Sequence, residues 1–188
     1  MHIRKGHFHD NASDDSYWNG GIQVLLDEEA ILKSHESDLT SRFCLITDPN
    51  NKLISYARFS INCQIIGNFN LSKIHVVASD KTIIGKKLSF ERDGNVMTLT
   101  AGKMLFESII SFCREQRTDV LLSEVAVFPY PNLPSLILHR ELGFISCANS
   151  LKHTKRENGQ SNAFIILGKS LSLFDSFPVL DTEALSNL

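Results

Sequence analysis

The stretch Leu121-Leu-Ser-Glu-Val-Ala-Val-Phe-Pro-Tyr-Pro-Asn-Leu-Pro-Ser-Leu-Ile-Leu-His-Arg-Glu-Leu-Gly-Phe144 constrains this chain more than any other. Its first part is apolar and β-prone, with Leu121, Leu122, Val125 and Val127 in one run. The spacing predicts a strand over 120–128. Pro129 and Pro131 end it, because proline cannot donate to a central ladder. A short amphipathic helix follows over 133–142, with Asn132 suited to its N-cap and Gly143 to the position just past its end. A buried strand that turns at a proline break into a short helix fits a mixed α/β layout.

Upstream, β-rich runs at 42–48 and 52–61 flank Asp48-Pro-Asn-Asn51, a hairpin signal. Residues 63–92 carry short apolar runs separated by Asn, Gly, Asp and Lys, which predicts two or three further antiparallel strands. Leu105, Ile109 and Phe112 recur at helical spacing, so 97–116 reads as a helix. A last hairpin is expected from 144–153 and 162–167, around a polar loop at 155–160. Near the start, a strand over 2–8 and a polar segment at 10–21 precede a helix over 22–36 with one apolar face. The order β-α-ββ(β)β-α-β-α-ββ predicts a mostly antiparallel central sheet flanked by helices. Residues 1–170 read as one domain and 171–188 as a tail, docked or loose.

A length of 188 residues favours one domain with a real core. The formal net charge of -2 steers the chain neither to nucleic acid nor to an anionic membrane, and neither is expected as a partner. Cys44, Cys63, Cys113 and Cys147 form no C-x-x-C pair, which fits reduced thiols in a reducing compartment. No apolar run reaches the ~20 residues needed to span a bilayer, and the first residues lack the apolar region of a secretory signal. The expected location is the cytoplasm.

Asn132, Ser135, Leu138-His139 and Gly143-Phe144 follow the spacing N-x-x-(A/S)-x-x-L-(Y/H)-x-x-x-G-F without a gap. This resembles the second half of the GNAT N-acetyltransferase fold, and the element order is also the GNAT order. The resemblance covers roughly residues 42–168. It implies a sheet splayed between the strands near 83–92 and 119–128, with a pantetheine arm in the gap. It also implies transfer of an acetyl or longer acyl group from acyl-CoA to an amine of a small molecule or protein. The amine would attack the thioester directly in a ternary complex. Acetyl-CoA would be a co-substrate, and no metal is expected.

The family's pyrophosphate turn has the pattern (Q/R)-x-x-G-x-(G/A), followed by another small residue. Small residues let backbone N–H groups close on phosphate at a helix N-terminus. An ungapped comparison places this turn at 95–102. Gly102 fits the last small position, but Thr98 and Thr100 stand where glycines are usual and Asn95 where Gln or Arg is usual. Threonine can donate to phosphate or cap the helix. By the same resemblance Asn132 and Ser135 flank the cofactor arm. His139, one turn after Ser135, takes the place of the acid that protonates the departing thiolate. Glu124 and Glu91, carboxylates in β-rich surroundings, are the candidate bases for the acceptor amine.

Other readings come from position alone. Tyr17, Trp18 and the acids at 14–15 and 27–29 fall where an acceptor would bind in this fold. His7 and His9 have metal-like spacing without a third ligand. The long stretch 63–92 reads as an acceptor lid or a contact within a homodimer. Two further functional classes fit the chain. One is a non-catalytic GNAT-like binding domain, which the altered phosphate turn favours. The other is an acyltransferase served by an acyl carrier protein, with Lys86, Lys87 and Arg92 as a docking patch.

Overall fold

Strands β2 (Ser41–Thr47) and β3 (Leu53–Ile66) form the hairpin expected from their alternating apolar residues. Asp48 shapes the connection, its Oδ1 accepting from the backbone N–H groups of Asn50 and Lys52 at 2.9 Å each. The computed structural model describes residues 2–5, 41–50, 52–80, 82–92, 95–155 and 161–172, and elements are numbered among these. Strand β1 (His2–Lys5) pairs antiparallel with β2, covering the start of the expected first strand. The segment at 10–21, the helix over 22–36 and the tail beyond 172 lie outside the described residues.

Strand β3 turns into β4 (Phe69–Ser79) at Gly67, whose φ of +59° favours glycine. Strands β5 (Lys87–Arg92) and β6 (Asn95–Thr100) form a separate two-stranded sheet. Helix α1 (Ala101–Glu115) begins at the residue after β6. Then come β7 (Val120–Phe128), helix α2 (Leu133–Glu141), β8 (Ile145–Lys155) and β9 (Ser161–Ser170). The larger sheet has seven strands in the hydrogen-bonding order β1-β2-β3-β4-β7-β9-β8. It is mostly antiparallel, as expected, with one parallel pairing, β4 to β7.

The chain divides into two compact units, Met1–Ile61 with His75–Phe112, and Asn62–Ile74 with Cys113–Leu188. In the first, Phe43, Tyr56 and Phe59 from the β2–β3 hairpin and Leu105, Phe106 and Ile109 from α1 are almost fully buried. Phe59 meets Phe112 edge to face at 6.0 Å between ring centroids. Each such buried side chain contributes about 1.5–3 kcal/mol of transfer free energy.

In the second unit β7 has a neighbour on each side. Strand β4 pairs with it in parallel over Leu71–Ile74 and Val120–Ser123, and β9 pairs antiparallel along its length. The junction is held by Asn70 and Asp119. Asn70 N–H donates to Asp119 Oδ2 at 2.8 Å, and Asp119 N–H donates to the Asn70 carbonyl at 2.9 Å. Leu71, Val120, Leu122, Cys147 and Ile166 form one apolar cluster.

Two expectations change. The strand beside β7 on this side is β4, and not the one near 83–92, which the splayed arrangement placed there. Residues Lys87–Arg92 pair instead with Asn95–Thr100. Only Asp93-Gly94 separates these strands in sequence, so their closure costs little loop entropy. The helix expected from 97 starts at Ala101, because Val96, Thr98 and Thr100 are β-branched and alternate with Met97 and Leu99. Among the described residues no helix is long and apolar enough to cross a membrane.

Candidate functional site

Helix α2 is built by the residues that the motif singles out. Asn132 caps it, Oδ1 accepting from Ser135 N–H at 3.2 Å. Pro134 stands in the first turn, where its missing N–H is harmless. Gly143 ends the helix with φ +78°, the left-handed conformation that glycine tolerates. Lys169 from β9 donates to the Leu142 carbonyl at 2.7 Å, placing a cation at the helix C-terminus.

His139 lies on α2 and is 2% exposed. Its Nδ1–H donates to the Ser135 carbonyl at 2.7 Å, since a carbonyl can only accept. Nε2 is then the acceptor in the neutral ring, and Ser123 Oγ of β7 donates to it at 2.8 Å. Phe144 covers the ring edge to face at 4.9 Å. Burial lowers the pKa of His139 below its ordinary 6.5, against the opposing pull of the Ser135 carbonyl. At neutral pH the ring is therefore uncharged.

Glu124 follows Ser123 on β7, so its side chain projects from the opposite face of the sheet. Its Oε1 accepts from Lys73 Nζ on β4 at 2.8 Å and from Lys152 Nζ on β8 at 3.3 Å. Burial alone would push the carboxyl pKa up. The hydrogen bond and charge of Lys73, with those of Lys152, outweigh this and hold it below the ordinary 4.5.

The structure therefore brings Asn132, Ser135 and His139 together on one helix, with Glu124 on the strand beneath and directed to the other face. Glu91 lies on β5 opposite Val96, and its side chain lies outside the described residues. Thr98 and Thr100 lie on strand β6 instead of a turn, and Gly102 is in the first turn of α1. Thr98 Oγ1 is 3.2 Å from Ser89 Oγ across the β5–β6 pair. Thr100 Oγ1 accepts from Lys103 N–H at 3.4 Å, a long capping bond. All six residues of β6 pair with β5, so their backbone does not form the open turn of the family pattern.

Sequence reasoning missed Ser123, Lys73 and Lys152. The first two carried a signal, as polar residues that interrupt β-prone runs at 120–125 and 71–77. Lys152 carried none, because a lysine on a terminal hairpin is ordinary. Tyr17, Trp18, the acids at 14–15 and 27–29, and His7 and His9 lie outside the described residues. Among the described residues no three His, Cys, Asp or Glu side chains gather as a metal site would require.

No protein-family model matches the chain. No curated protein matches it either. Solved structures do, 104 chains of them. A probable acetyltransferase from Staphylococcus epidermidis aligns with a TM-score of 0.58 at 13% identity, over 91% of this chain and 99% of that one. Arabidopsis thaliana NAA60, solved with a bisubstrate analogue, aligns with a TM-score of 0.56 at 12% identity, over 90% and 97%. A Desulfovibrio desulfuricans protein assigned as a GNAT-family acetyltransferase aligns with a TM-score of 0.54 at 15% identity, over 91% and 99%. The chain has the fold of the GNAT superfamily.

Proposed function

We propose that this chain is an acyl-CoA-dependent N-acyltransferase. It would move an acetyl group from acetyl-CoA to an amine of a small molecule or a protein. The observation that carries this reading, beyond the fold, is the backbone of β7. Its ladder with β4 ends at Ser123, while the strand runs on to Phe128 with β9 as its ladder partner. Such an edge suits an extended ligand arm that carries amides.

The amine nitrogen attacks the thioester carbonyl, the new C–N bond forms, and the C–S bond breaks. The amine loses one proton and the departing thiolate takes one. His139 is the proposed acid. Uncharged at rest, it would gain a proton during turnover before giving one up, and both transfers would pass through the Ser123 hydroxyl on Nε2. Glu124 is the proposed acceptor-side carboxylate. It stays ionised at neutral pH, so it holds the incoming amine more than it removes a proton. Glu91 is the other proposed base. Asn132 and Ser135 would flank the arm of the donor, with Thr98, Thr100 and Gly102 beside its phosphates.

Calorimetric titration with acetyl-CoA and free coenzyme A tests the reading. Micromolar affinity, weakened by Gly102→Trp, is the expected result. Absence of binding to either would reject it. The second reading, a GNAT-like domain that binds without catalysing, is favoured by the β-strand conformation of Asn95–Thr100. Binding without transfer to any of a broad panel of amines would support that one.

A further inference from the structure

The Lys73–Glu124–Lys152 cluster has a shape that a purely structural ion pair does not need. Both ammonium groups converge on one oxygen, Oε1. Oε2 accepts from no group among the described residues, although each carboxylate oxygen has lone pairs for two donors. Lys152 Nζ has three donors and makes one bond among the described residues, at 3.3 Å. The cluster lies in an environment from which water is partly excluded. Side-chain exposures are 11% for Lys73, 23% for Glu124 and 35% for Lys152. Leu122, two residues before Glu124 on β7, and Ile166, directly opposite Glu124 on β9, give the same face an apolar floor.

A partly exposed carboxylate oxygen with unfilled lone pairs suits an ammonium or amine. The adjacent ammonium of Lys152, with unused donors, suits an anion. The two lie within one hydrogen bond of each other. We propose that this cluster is the acceptor subsite and that it takes zwitterionic amino compounds, with amine and carboxylate on the same or neighbouring carbon. The amine bonds Glu124 Oε2 and the carboxylate bonds Lys152 Nζ. Lys73 is the positioning residue that fixes Oε1 and keeps Glu124 ionised. The term "acceptor" rests on the transferase reading, whereas the binding chemistry does not.

The test is calorimetry without any acyl donor, using the L-amino acids, their carboxamides and their deaminated carboxylic acids. At least one amino acid is expected to bind ten or more times more tightly than both of its single-ended analogues. Lys152→Gln should lower its affinity to that of the carboxamide, and Glu124→Gln to that of the deaminated acid. Lys152 is exposed enough for its variant to fold, and thermal melting checks this. The proposal is overturned if no amino acid outbinds its carboxamide, or if Lys152→Gln leaves the preference intact. Binding of this kind without acetyl transfer would uphold the subsite and reject the transferase. Acetyl transfer to amines with no preference for the zwitterion would do the reverse.

Discussion

Ser123 Oγ sits 2.8 Å from His139 Nε2, and this bond fastens helix α2 to strand β7. The hydroxyl must donate, because Nδ1–H is already committed to the Ser135 carbonyl. The imidazole thus has one fixed tautomer, held by a strand on one side and by its own helix on the other.

Removing the hydroxyl takes a 2.8 Å donor away from a buried acceptor. Ser123→Ala should cost about 1–3 kcal/mol of stability. Urea denaturation would show it as a lower midpoint at unchanged slope. An unchanged midpoint would mean that the bond contributes nothing to holding α2.

The depressed pKa of His139 makes stability depend on pH. Below 6.5, the ordinary histidine value, the unfolded chain takes up a proton that the folded chain does not. Stability is therefore full above that pH and falls as pH drops from it toward the lower folded-state value. The melting temperature should decline as pH drops below about 6.5, and His139→Gln should flatten that slope. Equal slopes in both proteins would assign the dependence to other groups.

Lys73 gives Glu124 its shorter hydrogen bond. Lys73→Met should cost about 1–3 kcal/mol, less than for a fully buried pair because Glu124 keeps Lys152 and some solvent. Adding Glu124→Gln should recover part of the loss, since a neutral amide needs no cation. Denaturation of the two single variants and the double variant measures this coupling. Strict additivity would show that the pair is not coupled.

Asn132 separates capping from ligand contact. Asn132→Ala should cost about 1 kcal/mol, while Asn132→Asp keeps the capping oxygen and should melt close to the parent. If Asn132→Asp nevertheless loses acetyl-CoA affinity, the amide contacts the donor. If both variants bind as the parent does, the residue acts only as a cap.

All four cysteines are free thiols, and only Cys63 is exposed. Burial pushes the Cys44 thiol up to about 12 and the Cys113 thiol to about 11, so neither carries appreciable thiolate at neutral pH. A chromogenic disulfide reagent should titrate one thiol in the native protein and four in denaturant. Rapid reaction of more than one would contradict the packing around Cys44, Cys113 or Cys147.

The second half of the chain was legible because its signals are local. Strand β7, the caps of α2 and the last hairpin follow from proline, asparagine, glycine and apolar runs at short spacing. What was not legible depended on pairing. Residues 87–92 and 69–79 are both β-prone, and only the competition for partners decides which lies beside β7. Glu124 was visible as a carboxylate in a strand. Its lysines come from β4 and β8, far apart in sequence, and no local pattern joins them. His139 was visible by spacing, but its partner Ser123 depends on how α2 lies on β7.

Asn132, Ser135, His139, Gly143 and Phe144 each have a task inside the fold: cap, carbonyl, anchor, terminator and ring cover. A pattern made of these positions selects for the way one short helix is moored to its sheet. A chain without acyl transfer would still be held to it by folding. The motif thus marks architecture, and further evidence for chemistry has to come from residues without such a task, such as those on the strand face that carries Glu124.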